Sequence, residues 1–315
     1  MTILIAADFD AAEWAAWWPA LRAALPGERL VRSVAEAAGA GGQDAIDIAL
    51  VANPPAGALQ GLTALRLIQS LWAGVDKLLA DPTVPADVPL ARMVDPAMNA
   101  AMAETAIWAV LGLQRDFLDY AASQRAAEWR PLPQRRADDL TVAVLGLGQM
   151  GRTAAQRLVQ HGCRVLGWST QPCVIGGVQT HAGEAELPAV LAAAQVVVNL
   201  LPLTPATRGL FNAATFAQMP RGASLVNLAR GAHVVEADLL AALDAGQLRR
   251  AVLDVFATEP LPEGHAFWAH PRVTVLPHVA AQTDPRSAAA VVAFNVDALR
   301  CGQPLAHRVD RQRGY

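Results

Sequence analysis

Lysine is almost missing from this chain: Lys77 is the only one in 315 residues, and arginine carries the rest of the positive charge. The balance is close to neutral, with a net charge of −3 and a pI near 6.2. Nothing in it steers the protein to nucleic acid or to an anionic membrane. Cysteine is scarce as well. Cys163, Cys173 and Cys301 form an odd set with no metal or redox spacing, so no disulfide framework is expected. Reduced thiols in a cytoplasmic protein are the simpler expectation. No apolar run reaches the roughly 18 residues that span a bilayer, and no basic segment leads into an apolar stretch at the start. Internal repeats are absent, which excludes a solenoid.

What is abundant is apolar residue, at 53%, against 17% charged. That ratio supports a well-buried core and leaves room for two domains. The first third alternates strand and helix: 3–6 and 45–51 read as strands, 11–25 as a helix, 65–71 as a third strand, and 84–94 as a last short one. Asn53-Pro54-Pro55 is a strong stop. Residues 97–120 carry an almost unbroken helical pattern. The following stretch, 121–140, is polar, with two prolines and Trp129. A structureless excursion of that length is usually functional or an interaction arm.

Residues 142–151 read VAVLGLGQMG, a buried strand running into Gly146-x-Gly148-x-x-Gly151. Gly146 allows a tight turn, Gly148 lets backbone approach a pyrophosphate, and Gly151 lets a helix over 152–161 pack close to the strand. The pyrophosphate would rest on the unpaired amides of that helix. The motif alone is weak, but a second apolar strand at 164–168 completes a βαβ pattern. Further strands at 196–200, 223–228, 251–255 and 273–276 alternate with helices, giving an α/β protein with doubly wound parallel sheets. Two Rossmann-like domains are expected, with the active site in the cleft between them. Residues 1–99 and 286–315 would form a flavodoxin-like substrate domain, and 100–285 the dinucleotide-binding domain. The last helix, about 285–301, would cross back to complete the first.

Three polar residues end apolar segments of the second domain: Arg230, Glu259 and His278. Ligands of open parallel sheets bind beyond the carboxyl ends of strands, so the three can converge. A guanidinium forks onto a carboxylate and a carbonyl oxygen. An imidazole moves a proton near neutral pH, and a carboxylate beside it favours its charged form and orients it. Reduction of a ketone by a nicotinamide needs this set. Each residue also has a plain structural reading: a solvated strand-end arginine, a turn-starting glutamate, a core histidine. Neither His265 nor His270 makes a zinc spacing with His278, so no metal is expected. Asp254 either faces a nicotinamide carboxamide or caps a strand.

Together these segments resemble the D-isomer-specific 2-hydroxyacid dehydrogenases, and most closely their glyoxylate/hydroxypyruvate reductase A type. The likeness rests on LWAGVD (71–76), LGLGQMG (145–151), NLLPLTPATRGLF (199–211), NLARGAHVVEADLLAAL (227–243), LDVFATEPLP (253–262), WAHPRVTVLPHVAA (268–281) and VDRQRGY (309–315). The resemblance implies that Arg230, Glu259 and His278 are catalytic. It implies that Ala73 and Gly74 amides hold the substrate carboxylate with Arg230. Trp72 and Trp268 either wall a small pocket or pack into the core, as tryptophan commonly does. Cofactor contacts would come from Gly146, Gly148, Gln149, Met150, Gly151, Ser169, Thr170, Leu201, Pro202, Thr207, Leu228, Ala229 and Asp254. Residues 114–140 would be a dimerisation arm, making a homodimer.

The chain departs from the family at one place. After the second Rossmann strand, NAD-dependent members carry an acid; Ser169-Thr170 stand here. The reductase A type follows with arginine, and neither Thr170 nor Gln171 supplies one. NADP(H) is therefore expected to be preferred, with NAD(H) usable. The reaction expected is reduction of a small 2-oxo acid, glyoxylate or hydroxypyruvate, to the 2-hydroxy acid. The competing reading is a non-catalytic NAD(P)-binding sensor, like the corepressors that resemble this family; the lack of an appended tail after the closing helix weighs against it.

Overall fold

The computed structural model describes residues 2–37 and 42–315. By backbone contacts the chain divides into two compact units, Met1–Met98 with Thr283–Tyr315, and Asn99–Gln282.

The first unit is built on β1 (Thr2–Ala7), β2 (Arg29–Val31), β3 (Ile46–Ala52), β4 (Leu67–Ser70) and β5 (Leu90–Ala91), with helices α1 (Ala11–Ala24), α2 (Val34–Ala37) and α3 (Asp76–Ala80). All pairings are parallel, in the order β2-β1-β3-β4-β5, the 2-1-3-4-5 order of flavodoxin-like sheets. A capping box starts α1: Asp10 accepts from the Glu13 amide, and Glu13 reaches back to the Asp10 amide. β3 is buried along its whole length, as expected of a central parallel strand.

The second unit opens with α4 (Pro96–Gln114) and α5 (Phe117–Arg125). Its strands are β6 (Thr141–Leu145), β7 (Arg164–Ser169), β8 (Val178–Ala182), β9 (Val196–Asn199), β10 (Ala223–Asn227), β11 (Leu248–Leu253) and β12 (Val273–Val275). Its further helices are α6 (Gln149–His161), α7 (Leu187–Ala193), α8 (Ala213–Gln218), α9 (Glu236–Asp244) and α10 (Ala266–Ala269). The sheet is parallel throughout, in the order β12-β11-β10-β9-β6-β7-β8. Strand alternation supplies two cores. Ala143, Leu145, Val197, Leu225 and Leu253 face one cluster, while Val142, Val144, Val196, Val198, Val226 and Val252 face the other. The doubly wound α/β expectation holds in both sheets.

The last helix, α11 (Pro285–Arg300), packs on α1 in the first unit. Buried Asn295 donates to Gln69 Oε1 at 2.7 Å and accepts from the Ala306 amide. Arg300 pairs with both Glu28 and Asp47.

Two expectations needed correction. The 97–120 helix is not continuous: α4 stops at Gln114, and Asp116 turns left-handed at φ 57 before α5 begins. The cause lies far along the chain. Arg249 engages Asp116 and Asp119, Arg250 forks onto Asp119, and Arg135 approaches Asp116 at 3.4 Å. These ion pairs fix the backbone where helical pattern alone would let it run on. The polar stretch after it is also not structureless from 121, since α5 continues to Arg125 and a 3-10 turn forms at Ala137–Asp139. Between them Tyr120 Oη accepts from the Leu132 amide at 2.8 Å, and Trp129 is 99% exposed.

Candidate active site

β6 and β9 are the neighbours at which the strand order of the second sheet reverses, the place where open α/β sheets bind ligands. The glycine turn sits there. Gly146 has φ 95, and a Cβ on it would lie 2.6 Å from the Leu200 carbonyl oxygen. A Cβ on Gly151 would fall 1.7 Å from the Gly146 carbonyl oxygen, so this glycine lets α6 press onto the turn. At Gly148 a Cβ would meet nothing within 4 Å. That face is open, and the helix it caps has no side-chain cap on its first amides. An open backbone surface with unclaimed amides at a helix N-terminus fits a dinucleotide pyrophosphate. Gln149 and Met150 begin that helix.

β9 and β10 end side by side on Asn199 and Asn227, which are register partners. Asn199 Nδ2 donates to Asn227 Oδ1 at 2.9 Å and to His233 Nδ1 at 3.0 Å. Asn199 Oδ1 accepts from the Leu201 amide, and Asn227 Nδ2 donates to the Arg230 carbonyl. Those backbone partners fix both amide orientations, so His233 Nδ1 accepts and its Nε2–H points to the Pro202 carbonyl at 3.3 Å. Thr207 Oγ1 donates to that same carbonyl at 2.8 Å. Leu201, Thr207, Leu228 and Ala229 are all buried, so what they offer a ligand is chiefly backbone. Sequence reasoning missed this network; the signal was an asparagine at the end of two adjacent strands.

Arg230, Glu259 and His278 come from consecutive crossings of the sheet. Gly231 lets the turn after β10 touch the one after β11: a Cβ there would lie 1.8 Å from the Phe256 carbonyl carbon. Arg230 Nη1 donates to the Ala229 carbonyl at 2.7 Å. Glu259 Oε1 accepts from the Phe256 amide at 2.9 Å, and Oε2 meets His278 Nδ1 at 2.8 Å. Burial pushes the Glu259 carboxyl up. Hydrogen bonds from His278 and Phe256, with the charges of His278 and Arg230, outweigh that and hold it below its ordinary value. An ionised carboxylate only accepts, so Nδ1 carries the proton and Nε2 is the ring atom left to face a ligand.

His278 itself is in the left-handed region, φ 55, uncommon for a residue with a side chain. Asp254, at the end of β11, holds it there. Its carbonyl accepts from the His278 amide at 2.9 Å, while its carboxylate takes the Val279 and Ala280 amides at 2.7 and 3.0 Å. Burial pushes the Asp254 carboxyl up, against the pull of those amides. Asp254 thus supports the turn that carries His278.

The remaining residues are placed as follows. Trp268 is half-exposed, its indole N–H donating to the Pro262 carbonyl at 2.8 Å. Ser169 Oγ donates to the Gln171 carbonyl at 2.7 Å, and Thr170 is exposed. The serine hydroxyl thus ties the end of β7 to the loop that follows it. In the first unit, Trp72 packs edge-on to Phe9 and Trp17. The Ala73 and Gly74 amides that follow have no acceptor among the described residues. No group of acidic, histidine and cysteine residues suited to a metal occurs among the described residues.

Residues 107–280 match the NAD-binding domain of the D-isomer specific 2-hydroxyacid dehydrogenases. A glyoxylate/hydroxypyruvate reductase A of Serratia proteamaculans is 44% identical over 312 residues, covering 98% of this chain and 97% of that protein. Among solved structures, a D-isomer specific 2-hydroxyacid dehydrogenase of Xanthobacter autotrophicus Py2, in complex with NADPH and MES, superposes with a TM-score of 0.92. It is 40% identical and covers 100% of this chain and 99% of its own. An NADPH-dependent glyoxylate/hydroxypyruvate reductase of Sinorhizobium meliloti, in complex with NADP and sulfate, gives a TM-score of 0.91 at 38% identity, covering 100% and 99%. With its glycine turn, its Glu–His pair and these relatives, the chain belongs to the D-isomer specific 2-hydroxyacid dehydrogenases.

Proposed function

We infer that the protein is an NAD(P)H-dependent reductase of a small 2-oxo acid, glyoxylate or hydroxypyruvate, giving the 2-hydroxy acid. The observation that carries this is the 2.8 Å contact between an ionised Glu259 and His278 Nδ1. A proton donor held in register by a carboxylate is what ketone reduction requires, and it weighs against a sensor. A bound reduced nicotinamide supplies the hydride. Arg230 bridges the substrate carboxylate and ketone oxygen through its planar fork. The Ala73 and Gly74 amides take the other carboxylate oxygen. His278 Nε2 gives its proton to the oxygen as the carbonyl carbon is reduced, and Glu259 stabilises the imidazolium beforehand. Trp72 and Trp268 restrict the length of the substrate side chain. Asp254 retains lone pairs for a carboxamide N–H while it supports the His278 turn. The glycine turn, the Leu201–Pro202 backbone, Thr207, and Leu228 and Ala229 hold the dinucleotide, with NADP(H) preferred and NAD(H) also accepted.

Residues 114–140 are proposed as the contact region of a homodimer, since Phe117 and Trp129 are exposed apolar side chains in that segment. A reducing, cytoplasmic setting accords with three free cysteines, of which Cys163 is buried with its thiol pushed up to about 11. No helix among the described residues is long and apolar enough to cross a membrane. The test is NADPH absorbance with glyoxylate, hydroxypyruvate and pyruvate as substrates. Turnover with the first two supports the reading; no turnover with any 2-oxo acid overturns it.

A further inference from the structure

The segment that should discriminate NADP from NAD has lost both of its usual tools. No carboxylate lies between Arg164 and Glu184 to hold a ribose 2′-hydroxyl, and no arginine follows Ser169 to hold a 2′-phosphate. Ser169, whose hydroxyl donates to the Gln171 carbonyl, brings no charge to the gap. The loop is nonetheless well defined. Thr180 Oγ1 donates to the Cys173 carbonyl at 2.8 Å, and the Ile175 carbonyl accepts from the Val178 amide. A cation reaches it from elsewhere. Arg152, the fourth residue of α6, donates from Nη1 to the Val174 carbonyl at 3.1 Å.

That contact places a guanidinium on the loop that follows β7, one helical turn from the glycine cradle. It is the side chain's one hydrogen bond among the described residues. An arginine has five N–H donors, so four remain for an incoming ligand. Neither α6 nor the loop holds an acidic residue to neutralise it.

We propose that Arg152 is the 2′-phosphate-recognising residue of this protein, supplying from the helix the charge that the loop lacks. This rests on the NADP reading given above. A guanidinium meets a phosphate through two parallel N–H bonds, whereas toward a ribose hydroxyl it gains little. Arg152 therefore acts on NADP and spares NAD. Its bond to Val174 presets the guanidinium beside the loop before the cofactor arrives.

The experiment is calorimetric binding of 2′,5′-ADP, 5′-AMP, NADP+ and NAD+ to the full chain, wild type against Arg152→Gln and Arg152→Lys. Losing a charge-assisted contact predicts about ten- to a hundredfold weaker binding of 2′,5′-ADP and NADP+ to Arg152→Gln. Binding of 5′-AMP and NAD+ should stay within about twofold. Arg152→Lys, which keeps charge without the fork, should fall between. Equal losses for all four ligands would mean that Arg152 supports the turn rather than the phosphate, and unchanged binding would mean that it does neither; both overturn the proposal. If wild type binds 2′,5′-ADP no better than 5′-AMP, the NADP reading itself fails, and the assignment of Arg152 falls with it.

Discussion

At the scale of single residues, the pair Glu259–His278 sets what the protein can do with a proton. Replacing His278 with Ala removes the donor and leaves the glycine turn untouched. Turnover should fall about 10²–10⁴-fold, the usual worth of general acid–base catalysis, with NADPH binding retained in a fluorescence titration. The sign of the pH dependence follows from Glu259. Its pKa lies below the ordinary carboxyl value, so the ionised partner of His278, and reduction with it, should persist below that ordinary range and be lost only as pH falls through the depressed value. In Glu259→Gln no carboxylate titrates, and that acid loss should disappear from steady-state profiles. An unmoved profile would show the two side chains to be uncoupled in catalysis. That Arg230, Glu259 and His278 follow the ends of strands was legible in the sequence, because each is a polar residue closing an apolar run. The support given by Asp254 to the His278 turn was not, since two amides accepted by one carboxylate leave no trace in composition or period. Nor was the placement of Arg152, whose hydrogen-bond partner lies 22 residues away across a helix and a strand.

The elements themselves were mostly readable. The long buried strands announced themselves by short apolar runs, such as IALVA in β3, VAVL in β6 and VVV in β9, and α6 by its spacing and its glycines. Missed were β2, of three residues, and β8, a partly exposed edge strand reading VQTHA. Short or polar edges lack the apolar run that marks a buried strand. The α4–α5 break was illegible for another reason: its determinants, Arg249 and Arg250, belong to β11, about 130 residues downstream. That cluster has a measurable weight. Asp119 to Asn should lower the free energy of unfolding in urea by about 2 kcal/mol, the scale of hydrogen bonds to charged groups. Burial works against the Asp119 carboxylate, but its bonds to Arg250 and Arg249 leave its pKa below the ordinary value. Its contribution is therefore complete above the ordinary carboxyl range and fades as pH falls through the depressed one. The difference between wild type and variant should shrink accordingly in acid; a constant difference would separate the ion pairs from the stability they are assigned.

For the molecule as a whole, the proposed arm gives a mass to measure. Light scattering at micromolar concentration should return twice the chain mass of 33.2 kDa, and replacing Trp129 with Asp should shift the population toward single chains. A monomeric wild type would refute the arm. The chain path has a further consequence, in time rather than in space. The first unit begins at the first strand but is closed by α11, whose Asn295 and Arg300 reach back to Gln69, Glu28 and Asp47. During synthesis the whole of the second unit, Asn99–Gln282, emerges before those closing residues exist. At about 5–20 residues per second, the unit that starts first waits roughly 10 to 40 seconds for its last helix, with the face of α1 uncovered. The nascent protein should therefore acquire its dinucleotide fold before its substrate fold, and any chaperone that attends it should be met by the N-terminal end.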